Sequence, residues 1–149
     1  MSFKEFYRNI NPDVRIGVVG YSEQKFDTKK AAEYIKKSFD KIVSTNNQDA
    51  EFTVVSGWTD LGIPSIAYKE AKSRKWHTAG IACKKALELK TFLCDQVTTV
   101  GEEWGDESET FLNDITVLVR IGGGKQSKAE TAKAKEMGIK VIELDLEEK

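Results

Sequence analysis

Ile115-Thr116-Val117-Leu118-Val119-Arg120-Ile121-Gly122-Gly123-Gly124-Lys125-Gln126-Ser127-Lys128-Ala129-Glu130 is the stretch that decides the fold. Ile115, Val117, Leu118, Val119 and Ile121 form an apolar run dense enough for a strand covered on both faces, as in a parallel sheet. The run breaks into Gly122, Gly123 and Gly124, which let the backbone approach a ligand closely. Ser127 then offers a side-chain cap for a helix over about 127–137, and the free N–H groups at such a start attract phosphate. Gly138 follows as the helix C-cap, and Ile139 to Leu144 reads as a last strand.

Upstream, the same alternation recurs. A polar lead-in closes at Pro12, and Val14 to Val19 reads as a first, central strand ending at Gly20-Tyr21-Ser22. Asp27 or Thr28 can cap a helix whose Ala31, Ala32, Ile35, Phe39, Ile42 and Val43 recur at helical spacing. The polar linker from Ser44 to Asp49 leads into a second strand, Phe52 to Val55, which exits through Ser56-Gly57-Trp58-Thr59-Asp60-Leu61-Gly62. A helix is expected over 63–74 with Pro64 in its first turn, and a third strand over Trp76 to Ala82. A short helix around 84–89, a strand within 92–100 and a helix begun by Asp106 or Ser108 complete the series. Uniformly apolar strands alternating with amphipathic helices predict an α/β, Rossmann-like three-layer sandwich with a mostly parallel central sheet. The acidic end, Glu143 to Lys149, reads as a solvated finish.

Composition removes several classes. At 149 residues the chain is expected to be one domain, residues 1–149. Twenty-three basic residues against twenty-four acidic give a net charge of −1 with no basic stripe, which argues against a nucleic-acid partner. Cys83 and Cys94 stand outside any C-x-x-C arrangement beside a single histidine, His77, so no metal is expected. No segment approaches the roughly 18 apolar residues of a membrane span, and the first residues carry no apolar signal core, so a soluble, cytoplasmic protein is expected.

In a parallel sheet, ligands bind beyond the carboxyl ends of the strands, and three exits here carry small residues. They are Gly20-Tyr21-Ser22, Ser56-Gly57-Trp58-Thr59 and Gly122-Gly123-Gly124-Lys125-Gln126-Ser127, which together predict a nucleotide or other phosphorylated ligand. The first exit has no G-x-G-x-x-G and no acid ends the second strand, so a nicotinamide is disfavoured and no cofactor is expected. Gln126 after Gly124-Lys125, and Val119 where a P-loop needs its first glycine, exclude that loop, although Lys125 can still meet a phosphate.

These residues resemble the SLOG superfamily, which includes the cytokinin-activating LOG phosphoribohydrolases, the molybdenum-cofactor carrier proteins and the DNA-processing protein DprA. The family's G-G-x-G-T-x-x-E signature is similar to Gly123-Gly124-Lys125-Gln126-Ser127-Lys128-Ala129-Glu130, with Ser127 for threonine and Gln126 for the last glycine. Gly20-Tyr21-Ser22 and Val54 to Ile63 are similar to its two other loops. The resemblance implies that the glycine loop and Ser127 hold a phosphate. It also implies that Gly20, Ser22, Ser56 and Gly57 line the cleft, that Glu130 serves acid–base chemistry or contacts a ribose, and that the protein is a homodimer. Ser127-x-x-Glu130 is equally a capping box. Where LOG proteins carry R-K-x-x-M, this chain reads Glu107-Ser108-Glu109-Thr110-Phe111, and Ile121 to Gly124 replaces their Leu-Pro-Gly-Gly. Binding of a small-molecule nucleotide ligand is therefore the leading expectation. Hydrolysis of a nucleoside 5′-monophosphate by Glu130 is the alternative.

Four residues stay open. Trp58 can stack on a base or lid the core, and Trp104 sits in an acidic loop that can either close over a ligand or remain plain surface. Arg120 can pair with a buried acid or reach the ligand, and His77 suits a structural role better than a catalytic one.

Overall fold

The computed structural model describes residues 13–47 and 49–149, so the lead-in through Pro12 and linker residue Gln48 lie outside the described residues. Strands β1 (Asp13–Gly20), β2 (Glu51–Ser56), β3 (His77–Ala82), β4 (Gln96–Thr99), β5 (Val117–Ile121) and β6 (Lys140–Leu144) form one sheet. Its order is β4-β3-β2-β1-β5-β6, and every pairing is parallel. Helices α1 (Thr28–Ser44) and α2 (Gly62–Ser73) share the core of one face, while α3 (Ser108–Asp114) and α4 (Lys125–Glu136) share that of the other. This is the expected α/β, Rossmann-like three-layer architecture.

Period-two alternation along β1 sorts the two cores. Val14, Ile16 and Val18 join the side of α1 and α2, and Val19 joins the side of α3 and α4. Gly17 faces α3, where a Cβ would come 2.7 Å from Ile115 Cδ1 and 2.9 Å from Phe111 Cζ, so glycine lets this short helix seat directly on β1. On α1, Asp27 accepts from the Lys30 N–H at 3.0 Å as the cap, and Ile35 and Phe39 are fully buried. Each of those two contributes about 1.5–3 kcal/mol by leaving water. Val43, expected on the same stripe, is exposed where the helix ends.

Element edges differ from expectation for local reasons. β5 starts at Val117 because Ile115 caps the C-terminus of α3 and buries its side chain in that core. Trp76 precedes β3 and stacks on Phe52, ring centroids 4.7 Å apart. The short helix near residue 84 is a 3-10 turn, Lys84–Glu88, and Gly138 lies one residue past the α4 C-cap Met137 with φ 78°. The acidic end is not merely solvated: Leu146 is buried, and its carbonyl accepts from the Tyr21 hydroxyl at 2.9 Å. No helix among the described residues is long and apolar enough to cross a membrane.

Chain order runs outward from β1 through β2, β3 and β4, then returns to the other side of β1 as β5. The connections leaving β1 and β5 therefore diverge at their carboxyl ends, and that crevice is where open α/β sheets hold ligands.

Candidate functional site

A cavity of about 420 Å³ occupies that crevice. From β1 it takes Gly20 and Ser22; from the β2 exit, Ser56, Gly57 and Thr59; from the β5 exit, Gly124, Lys125, Gln126 and Ser127; and from α4, Glu130. Three strand exits thus meet around one space. Ser56 fixes two of them, since its hydroxyl donates to the Val18 carbonyl at 2.7 Å and ties β2 to β1.

Four residues of the three expected strand exits lie outside this lining. Tyr21 turns away to stack on Phe26 and to donate to Leu146. Trp58, at φ 70°, lies over Gly80, and its N–H donates at 2.9 Å to the Tyr68 hydroxyl, which in turn donates to the Ala79 carbonyl at 2.9 Å. Its packing is that of a lid on the sheet. Gly122 donates its N–H to the Leu144 carbonyl at 2.8 Å, and Gly123, at φ 99°, forms the turn behind the loop.

Ser127 does not cap the helix. α4 begins two residues earlier than expected, at Lys125, with Gly124 as N-cap and no side-chain cap. Positive φ at both Gly122 and Gly123 turns the chain into the helix early, leaving Ser127 within the first turn. The capping box is consequently not formed. Glu130 instead accepts from the Ser108 hydroxyl on α3 at 2.8 Å.

Glu130 is 8% exposed, and its carboxyl is raised from the ordinary 4.5 to about 7. Burial is the main cause and the nearby charge of Glu107 adds to it, while hydrogen bonds from Ser108 and Gln126 pull the other way. Glu107 is a lining residue that the sequence did not reveal as such. It is buried, accepting from Gln126 Nε2 at 3.0 Å and from the Gly105 N–H at 3.2 Å. In the sequence it is one more acid in an acidic loop, and no local pattern separates it from Glu102 or Glu103. Trp104 also lines the cavity. Among the described lining residues, Lys125 is the only Lys or Arg, against Glu23, Glu107 and Glu130.

Arg120 pairs with acids: Nη2 lies 2.9 Å from Asp145 Oδ1, and Nη1 donates to the Gly122 carbonyl at 2.7 Å, bracing the glycine loop from outside the cavity. The exposed His77 side chain sits 3.9 Å from Asp95, away from the cavity. Among the described residues, no group of three or more His, Cys, Asp or Glu is arranged to hold a metal ion.

No family model matches the chain, and no curated protein matches it in sequence. Solved structures do share its fold. The molybdenum cofactor binding protein of the phototrophic bacterium Rippkaea orientalis is 22% identical, with a TM-score of 0.71 over 89% of this chain and 77% of that one. The Moco carrier protein of Chlamydomonas reinhardtii is 23% identical, with a TM-score of 0.66 over 89% of this chain and 76% of that one. The structural genomics target TM1055 is 19% identical, with a TM-score of 0.66 over 86% of this chain and 72% of that one. At these identities the likeness is one of fold, and it is the fold that the sequence resemblance implies.

Proposed function

We propose that the protein binds a nucleotide or nucleotide-derived phosphorylated ligand at the carboxyl ends of the parallel strands, with the Gly122–Ser127 loop as the phosphate cradle through its cavity-facing residues Gly124 to Ser127. The observation that carries this is the meeting of three small-residue strand exits around one cavity of about 420 Å³ at the switch point of the sheet. That volume lies in the range of roughly 300–1,000 Å³ typical of small-ligand sites. The first turn of α4 faces it without a side-chain cap, so backbone N–H groups and the positive end of the helix are available to an anion. Lys125 adds a charge beside them. Two proteins of similar fold are described as binding or carrying molybdenum cofactor, which agrees with a ligand-holding role. Glu130, in the same cavity, would contact the sugar. The chain is taken as one cytoplasmic domain acting as a homodimer, and light scattering tests that assembly.

A second function is favoured by one observation. A Glu130 carboxyl near 7 is half protonated at neutral pH, the state a general acid needs to protonate a departing base. Hydrolysis of the N-glycosidic bond of a nucleoside 5′-monophosphate is therefore the alternative. Incubation with a panel of nucleoside monophosphates separates the two. Binding without release of free base supports the carrier or sensor role, and release abolished by Glu130→Ala supports the hydrolase. Absence of binding by every member refutes both.

A further inference from the structure

Residues 101–107 contribute Trp104 and Glu107 to the cavity lining, Glu107 beside Gln126 of the glycine loop, and neither is part of the proposed phosphate cradle. The 101–107 loop is preformed. Asp106 Oδ2 accepts from the Glu102 and Glu103 N–H groups at 3.0 Å each, and Lys84 and Lys85 pair with Glu102 and Glu103. It delivers two side chains to the cavity with different chemistry: the half-exposed Trp104 indole and the buried Glu107 carboxylate.

Glu107 retains acceptor capacity. A carboxylate offers about four lone-pair positions, and the bonds from Gln126 to Oε1 and from Gly105 to Oε2 use one on each oxygen. The remaining pair suits two adjacent, parallel N–H donors, the geometry by which a carboxylate recognises a forked partner. Among the nucleobases, guanine presents such an edge through N1–H and its 2-amino group. Adenine and cytosine place an acceptor beside their amino group, and uracil has a single N–H. Gln126 holds Glu107 in place; Gln126 stands where this chain departs from the glycine signature it resembles, and Glu107 where it departs from the R-K-x-x-M stretch. One hydrogen bond thus joins the two departures.

We propose that residues 101–107 are the base-reading wall of the cleft, where Trp104 stacks on a guanine-type heterocycle and Glu107 accepts its ring N–H and 2-amino hydrogens. This rests on the nucleotide function proposed above. Stacking on an aromatic side chain serves every base alike, so selectivity falls to Glu107.

Isothermal titration of the full chain with GMP, IMP and AMP tests it. GMP should bind about tenfold or more tighter than AMP, as one good bidentate contact discriminates between bases, with IMP, which lacks the 2-amino group, in between. Glu107→Gln should bring the GMP-to-AMP ratio to about one, whereas Trp104→Ala should weaken both ligands in parallel and keep the ratio. Equal affinities in the wild type, or a ratio that survives Glu107→Gln, overturn the base-reading wall and leave the nucleotide site standing. If none of the three ligands binds, both fall.

Discussion

Glu130→Gln should make the protein more stable at alkaline pH while leaving it nearly unchanged at acid pH. Burial and Glu107 raise the Glu130 carboxyl to about 7, whereas in the unfolded chain it ionises near its ordinary 4.5. Between those values the folded protein keeps a proton that the unfolded chain has released, so stability falls as pH rises. The contribution is fully present below 4.5 and is lost through 7. At about 1.4 kcal/mol per pH unit, the interval corresponds to about 3 kcal/mol. Glutamine has nearly the same shape, carries no proton to lose, and can still accept from the Ser108 hydroxyl that now bonds Glu130 at 2.8 Å. Urea denaturation from about pH 4 to 8 reads the difference directly. The two proteins should agree near about pH 4 and diverge until the variant leads by about 3 kcal/mol at about pH 8. Parallel curves, or a variant less stable at pH 8, would refute a buried, proton-holding carboxyl. A side chain that costs this much stability near neutral pH has no packing reason to be there, which points to the ligand.

Gly123→Val should lower the melting temperature by about 5 °C and remove nucleotide binding. The new Cβ would sit 2.7 Å from Ser127 Cβ on a backbone at φ 99°, which strains any residue but glycine by about 1–3 kcal/mol; an unchanged melt would contradict that geometry. Tyr68→Phe should destabilise by about 1–3 kcal/mol, because one buried hydroxyl serves both the Ala79 carbonyl and the Trp58 N–H. Amide exchange at Trp58 should quicken with it, and equal protection in both proteins would show that the hydroxyl does not anchor the β2 exit.

Much of the fold was legible because it is written in contiguous residues. Runs such as Val117 to Ile121 are apolar on both faces, which only a covered parallel strand requires, and the small residues at three strand ends mark the rim of the sheet. What stayed hidden depends on partners distant in the chain. Glu107 becomes a cavity residue only through Gln126, and a lone Leu146 among acids carries no periodicity to announce its burial. β4 is short and exposed throughout, so it lacks the alternation that identifies a half-buried strand. The helix start was misplaced because three successive glycines do not disclose which of them take positive φ, and Gly122 and Gly123 both do, early enough to pass the cap from Ser127 to Gly124.

The charge on the cavity wall decides between holding and cleaving. One lysine faces three glutamates there, and the arginine that the LOG resemblance would supply is replaced by Glu107. A phosphate in the proposed cradle must then be held mainly by backbone N–H groups of the α4 first turn, whose partial positive charge is fixed in place. Glu130 lies one turn along the same helix, and as a full anion it would repel that phosphate. Its raised carboxyl removes the conflict, because near neutral pH it is partly protonated and can donate a hydrogen bond instead. The same neutral acid could protonate a leaving base. In giving up that proton Glu130 becomes the carboxylate that the oxocarbenium-like state needs nearby. What weighs against cleavage is instead the shortage of cationic side chains: among the described lining residues Lys125 is the only Lys or Arg, so the ligand is held mainly by backbone N–H groups.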